Sequence, residues 1–187
     1  MSLKTIDDRI KKNYTIGWDD VVRDFFIPCL QHSKEFNYIT GYFSSQLLIP
    51  LFNGIKTFVM DNSGLIRLIV GVPTSTDINI FNMSKKELKK YIEDELTEDF
   101  FKVDKPEQVE HRKLLAWLIY NNRIEIKWAL PIQEIRLIQK KDSYKGRLTT
   151  ILHEKIGIFH DGHNYVTFTG SANMTYMGWV GNRESIK

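Results

Sequence analysis

Hydrophobic positions along the chain fall into helical and extended stretches. Apolar residues at positions 18, 21, 22, 25, 26, 29 and 30 recur at intervals of three and four, which places them along one side of a helix over Trp18–Leu30. Ser44 and Ser45 can cap a second helix, since a serine hydroxyl accepts a hydrogen bond from an unpaired amide in the first turn. The pattern predicts helices at about 18–30, 46–61, 85–95 and 106–121.

Extended segments alternate with these helices. The segment LIRLIVG at 65–71 is almost continuously apolar, which is typical of a strand inside a sheet that is covered on both faces. His160-Asp161-Gly162-His163 separates two late strand-like segments and indicates a hairpin turn. The pattern therefore predicts an α/β domain whose mixed β-sheet is flanked by helices on both faces. Its strands are predicted at 36–43, 65–71, 123–130, 150–159, 164–170 and 182–187.

Composition narrows the class of protein. A chain of 187 residues with 42% hydrophobic and 26% charged residues is typical of one globular domain. The single cysteine, Cys29, excludes an intrachain disulfide, and no apolar run approaches the roughly 18 residues that span a bilayer. We therefore expect a cytoplasmic protein with no membrane partner, in which a polar segment, 1–13, precedes a domain over 14–187.

Charge is unevenly distributed. The net charge is only +3, but residues 111–160 carry ten basic and four acidic side chains, so an anionic ligand such as a nucleic-acid backbone would be drawn there. The polar segment QKKDSYKGR at 139–147 combines positive charge with an aromatic ring. We expect nucleic-acid contacts, with DNA or RNA, from its side chains Lys140, Lys141, Tyr144, Lys145 and Arg147.

Other aromatic and basic residues have a simpler interpretation. Trp18, Trp117 and Trp128 are expected in the hydrophobic core rather than as stacking platforms for bases. His111 begins a short basic run with Arg112 and Lys113, and a solvated helix face is the expected setting of such a run.

The C-terminal part of the chain carries an unusual polar set. His153 and Lys155 are two residues apart, so on a strand they would share one face. Gly170-Ser171-Ala172-Asn173 follows the next strand, and Asn182-Arg183-Glu184 opens the last one. Histidine can act as a nucleophile or proton carrier, lysine and asparagine can hold phosphate oxygens, serine can orient them, and glutamate can fix a histidine tautomer.

This set resembles the HKD motif of the phospholipase D superfamily, written H-x-K-(x4)-D and followed by G-S-x-N. The matching residues are His153-Glu154-Lys155 and Gly170-Ser171-Ala172-Asn173, and Asn182 to Glu184 looks like the acidic position of the superfamily's nucleases. The earlier segments YITGYFS and IRLIVG are similar to phospholipase D-like domains of bacterial restriction endonucleases and of restriction-type helicase proteins.

The chain departs from the family pattern at one position. The family's aspartate would fall at position 160, which is His160 here, while Asp161 lies one residue later. A bulge in the hairpin could restore the role of Asp161, or Glu184 could serve instead, and we favour Glu184. A third possibility is a degenerate site that binds without catalysis.

The resemblance implies a phosphodiesterase that needs no metal or other cofactor. In the family two copies of the motif meet across a two-fold axis; one histidine attacks phosphorus, and the other protonates the leaving oxygen and then activates water. Because this chain has one copy, the resemblance implies a homodimer in which both subunits contribute His153. Lys155 and Asn173 would neutralise charge on the phosphoryl oxygens, with Ser171 and Glu184 beside them.

Three functions follow, in order of preference. The first is a nuclease of restriction or repair type, and the second is a non-catalytic nucleic-acid-targeting module of a helicase or restriction protein. The third is a phospholipid hydrolase, which ranks last because no amphipathic membrane-docking segment is visible. A metal site built from His153, His160 and His163 is disfavoured, because their spacing matches no zinc pattern.

The chain is also expected to be part of a larger protein. It carries half of a two-motif active site, and its last segment has the pattern of a strand. No nucleotide-binding P-loop motif occurs in it, so the ATPase of a linked helicase region would lie outside this chain. We therefore expect a dimeric N-terminal fragment of a longer protein.

Overall fold

A computed structural model describes residues 2–72, 107–129 and 152–187 of the chain. Within these ranges the polypeptide forms a central five-stranded sheet and a separate two-stranded one. The strands are β1 (Tyr14–Thr15), β2 (Glu35–Thr40), β3 (Leu65–Gly71), β4 (Ile124–Ala129), β5 (Ile156–His160), β6 (Tyr165–Thr169) and β7 (Ser185–Ile186).

The central sheet is mixed. Its strand order is β4-β3-β2-β5-β6, in which β2, β3 and β4 are parallel, while β5 is antiparallel to both β2 and β6. β5 and β6 form the hairpin that the sequence predicts, and Gly162 at its tip has a positive φ of 105°, which glycine adopts without strain. The predicted mixed α/β sheet is confirmed.

In the described part of the chain, three α-helices pack with the sheet: α1 (Ile27–Gln31), α2 (Phe52–Met60) and α3 (Glu107–Tyr120). α1 continues a π-helical turn, Val22–Phe26, so regular helix begins after position 18. Trp18 therefore precedes the helix that its spacing predicts, and its core assignment is wrong because the side chain is 80% exposed. The predicted helix at 85–95 lies outside the described residues. Shorter helical turns occur at Leu3–Arg9, Ser45–Leu48 and Met177–Gly181.

Aromatic rings join the helical layer to the sheet. Phe26 stacks on Trp179 with ring centroids 3.5 Å apart, and Phe36 of β2 stacks on Phe159 of β5 at 4.4 Å. Phe168 of β6 meets the edge of the Phe26 ring at 5.2 Å. Each such ring removes a large apolar area from water, so this cluster fixes the position of β5 and β6 against the helices.

The N-terminal segment contributes to the core in spite of its polar composition. Leu3 and Ile6 are 2% and 1% exposed, and they lie on one side of the 3-10 helix Leu3–Arg9. β1 then pairs with β7 in an antiparallel arrangement, with Tyr14 opposite Ile186. Residues 14–15 are thereby paired with the C-terminal strand.

Candidate active site

Strand direction brings the C-terminal polar residues to one edge of the sheet. Because β5 is antiparallel to β2 and β6, the start of β5 lies beside the ends of both neighbours. The Gly170 amide donates to the Lys155 carbonyl oxygen at 3.2 Å. The segment with His153 and Lys155 and the turn that starts at Gly170 are therefore neighbours in space, although about fifteen residues separate them in the chain.

The end of β2 approaches this edge closely at Gly41. A Cβ atom at this position would lie 2.8 Å from the Leu152 carbonyl oxygen and 3.1 Å from Asn173 Oδ1. Only glycine leaves room for both neighbours without displacement of the backbone. Gly41 therefore lets three separate segments of the chain converge.

His153 and Lys155 lie in the irregular segment before β5, which begins at Ile156. The prediction of a strand that already includes these two residues is therefore wrong. The two residues are joined by a hydrogen bond instead, in which Lys155 Nζ donates to the His153 carbonyl oxygen at 2.7 Å. The His153 side chain is exposed, whereas Lys155 is only 3% exposed.

The Lys155 ammonium lies in an unusual electrostatic setting. Burial lowers its pKa, and the negative charges of Glu184 and Glu154 act in the opposite direction. A buried cation loses much of its hydration, and one backbone carbonyl replaces only part of it. The position therefore favours a ligand that carries negative charge.

Asn173 is held in a defined orientation. Its Oδ1 accepts a hydrogen bond from the Tyr42 amide at 3.2 Å, and the neighbouring Met174 amide donates to Thr40 Oγ1 at 3.0 Å. Because Oδ1 faces these β2-end groups, the Nδ2 group is the hydrogen-bond donor of this side chain, and no acceptor for it is found among the described residues. Asn173 can therefore donate to a bound oxygen.

Ser171 joins the same edge to β7. Its Oγ accepts from the Ser185 amide at 3.1 Å, and its own amide donates to the Ser185 carbonyl at 3.1 Å. Ser185 follows Glu184, whose negative charge raises the pKa of Lys155. The structure thus places His153, Lys155, Ser171, Asn173 and Glu184 in adjoining segments.

Asp161 lies at the other end of β5, at the tip of the hairpin. It lies six positions after Lys155, about 20 Å along an extended chain. Its carboxylate accepts hydrogen bonds from the Leu3 amide, the His163 amide and both nitrogens of Asn164, all at 2.7–3.0 Å. Burial disfavours its charge, but these bonds outweigh burial and hold its pKa well below the usual range. Asp161 therefore anchors the N-terminus to the hairpin.

The two histidines of the hairpin, His160 and His163, lie at the end of β5 that is remote from His153. His160 stacks on Tyr165 with ring centroids 4.1 Å apart, and His163 is exposed at the tip. His153, in contrast, lies three residues before the start of β5.

The described part of the chain contains no group of three His, Cys, Asp or Glu side chains that could hold a metal ion. None of its helices is long and apolar enough to cross a membrane.

The expectation of a solvated face at His111 is wrong. His111 is 5% and Arg112 7% exposed, and His111 Nδ1 hydrogen-bonds with Ser45 Oγ at 2.9 Å. Burial lowers the pKa of His111, and the charge of Arg112 lowers it further. The Ser45–His111 contact attaches α3 to the turn that follows β2, so it supports the segment beside Asn173.

The predicted nucleic-acid contacts of the basic segment lie outside the described residues. They are Lys140, Lys141, Tyr144, Lys145 and Arg147.

Comparison with known proteins gives a likeness in structure but none in sequence. No protein-family model matches the chain, and no curated protein matches it. Among solved structures, the chain is similar to NucT from Helicobacter pylori, with a TM-score of 0.49 and 12% sequence identity over 93% of this chain and 80% of that chain. At this level of similarity, function has to be argued from the residues of the chain itself.

Proposed function

We propose that this protein is a metal-independent phosphodiesterase that cleaves nucleic acid through a phosphohistidine at His153, in an active site shared by two subunits. The observation that carries the proposal is the buried Lys155 ammonium, bonded to the backbone of the exposed His153. A desolvated cation bonded to the backbone of a residue with an exposed imidazole is suited to a phosphodiester, since the cation can bind the anion and the imidazole can attack it.

The first step forms the covalent intermediate. A ring nitrogen of His153 attacks phosphorus, the N–P bond forms, and the P–O bond to the leaving strand breaks. The His153 of the partner subunit donates its proton to the departing oxygen. Lys155 and the Nδ2 group of Asn173 stabilise the negative charge that develops on the non-bridging oxygens.

The second step releases the enzyme. The His153 of the partner subunit, now neutral, takes a proton from water, and the resulting hydroxide attacks phosphorus. The N–P bond breaks, and the first imidazole returns to its free state. Glu184, close enough to act on the charge of Lys155, takes the place of the family's aspartate as the acidic group of the site.

Nucleic acid is the proposed substrate because of the distribution of charge. The excess of positive side chains in residues 111–160 attracts a polyanion more strongly than a single lipid headgroup. The basic segment at 139–147 is proposed to contact the sugar-phosphate backbone. Within this class we propose a restriction-type nuclease domain, linked in its parent protein to a helicase region.

The first test is cleavage in EDTA. Wild-type protein incubated with plasmid and with single-stranded DNA in excess EDTA is expected to nick or cleave at least one of them. Cleavage that appears only after a divalent cation is restored would contradict the proposal. Absence of cleavage together with salt-sensitive binding that survives His153→Ala would favour the non-catalytic targeting module instead.

The shared site predicts an unusual dependence on subunit mixing. If one site needs both copies of His153, a mixed dimer of wild-type and His153→Ala subunits is inactive, so activity falls with the square of the wild-type fraction. Mixing in equal amounts, followed by full exchange of subunits between dimers, should leave about one quarter of the activity, against about one half for independent subunits. His163→Ala subunits mixed in the same way are the control, and a linear decrease with His153→Ala would contradict a shared site.

A further inference from the structure

Trp18 is a large aromatic side chain that the fold leaves in solvent. It is 80% exposed, so the hydrophobic core gains little from it. Its backbone conformation is nevertheless fixed by hydrogen bonds, because the Trp18 and Asp19 amides donate to the Thr15 carbonyl at 3.0 and 2.9 Å. Asp19 accepts from the Thr15 amide at 2.8 Å, and Gly17 supplies the positive φ of 95° that this turn requires. The turn therefore presents an indole ring at a fixed place.

This turn is fastened to the segment that carries Glu184. The Ile16 amide donates to the Glu184 carbonyl at 2.9 Å, and Thr15 of β1 is paired with Ser185 of β7. Ser185 in turn hydrogen-bonds with Ser171. A short chain of backbone contacts thus connects Trp18 to the edge of the sheet with the candidate active site.

Arg183 provides a cationic neighbour for the ring. Its guanidinium carbon lies 6.0 Å from the centroid of the Trp18 ring, within the range of a cation–π contact. A groove beside the indole is also lined by the apolar side chains of Ile27, Pro50 and Val180. Together these groups offer a flat apolar surface next to a positive charge.

The acidic residues around the turn do not favour a phosphate at this place. Asp19 is paired with Lys11 at 2.7 Å and Asp20 with Arg23 at 3.8 Å, so the local charge is close to balanced. The feature left for a ligand is the face of the ring. A nucleobase has a π-face of matching size, and base–aromatic stacking contributes about 1–3 kcal/mol per base.

We propose that Trp18, backed by Arg183, stacks an unpaired base of the strand whose phosphodiester occupies the candidate active site, so that the substrate is single-stranded nucleic acid. The proposal rests on the proposed function, because it takes the nearby edge as the site of cleavage. In a duplex the bases already stack on each other, and an exposed indole on a short turn gains no contact without unstacking them.

Binding measured without cleavage tests this proposal. In a His153→Ala background, fluorescence anisotropy with a labelled thymidine oligonucleotide and a labelled duplex of equal length gives the two affinities. Trp18→Ala should weaken single-strand binding about tenfold and leave duplex binding unchanged. Trp18→Phe should retain most of the affinity, and Tyr120→Ala, which removes another exposed ring on α3, is the control.

The possible outcomes separate this inference from the proposed function. Equal loss of single-strand and duplex binding, no loss in Trp18→Ala, or no single-strand binding by the parent protein would each overturn the stacking platform. If Trp18-dependent binding is present but the wild type cleaves nothing in EDTA, only the proposed function fails. Unchanged melting temperatures of the Trp18 variants verify that the fold is intact, as expected for an exposed side chain.

Discussion

Replacement of His153 by alanine is expected to reduce cleavage in EDTA by about 10³-fold or more. The imidazole is the nucleophile of the first step and, from the partner subunit, the acid of the same step, so the variant lacks both groups. No other group at this edge of the described structure offers a comparable nucleophile, since Lys155 is buried and bonded to a carbonyl. The measurement is the rate of nicking at saturating enzyme.

Stability provides the internal check on this prediction. The His153 side chain is exposed. In the hydrogen bonds with the Glu154 and Lys155 side chains, His153 uses only its backbone amide and carbonyl, which alanine retains. The melting temperature should therefore stay within about 1 °C of the wild type, since surface substitutions usually change stability by less than about 0.5 kcal/mol. His163→Ala is the matched control and should keep full activity. Cleavage by His153→Ala at the wild-type rate would contradict the assignment of the nucleophile.

Replacement of Asp161 by asparagine should lower stability with little effect on cleavage per folded molecule. The carboxylate accepts hydrogen bonds from the backbone of Leu3, His163 and Asn164, and an amide can accept only part of this set. Hydrogen bonds to a charged group contribute more than neutral ones, so we expect a loss of about 2–3 kcal/mol, or roughly 5–10 °C in melting temperature. Asp8→Asn, at an exposed position, is the control.

The pH dependence of the same variant has a definite sign. Because the folded pKa of Asp161 lies well below its usual value near 3.8, its contribution to stability is present above about pH 4 and is lost as the pH falls through the folded pKa. Asp161→Asn should therefore show a flatter decline of stability with acid than the wild type. A variant with the wild-type melting temperature at pH 7 and the same acid slope would show that Asp161 is not the anchor.

Local patterns predicted the sheet well. The strands around LIRLIVG and the hairpin at Gly162 depend on alternation, apolar runs and turn chemistry, all of which act over a few residues. The proximity of Lys155 to Gly170 follows from the antiparallel pairing of the two strands that the hairpin joins. Much of the candidate site was therefore accessible from the order of these motifs.

Long-range contacts account for the parts that sequence reasoning missed. Leu3 is buried in the hydrophobic core and its amide donates to Asp161, 158 residues away, and no local pattern signals either contact. His111 is buried and hydrogen-bonds with Ser45, 66 residues away, whereas the basic run that it begins is typical of a solvated surface. Trp18 fits a helical spacing, but the turn held by Asp19 keeps it outside the helix. In each case tertiary packing overrides local propensity.

Identification of the residue that becomes covalently attached to substrate tests the central claim most directly. Wild-type protein should be incubated in EDTA with a labelled oligonucleotide, quenched in alkali, where a phosphohistidine survives better than in acid, and digested for mass spectrometry. We predict a nucleotide adduct on the peptide that contains His153, and none on His163. An adduct on another residue, or cleavage in EDTA that proceeds at the same rate with His153→Ala, would contradict the proposed mechanism.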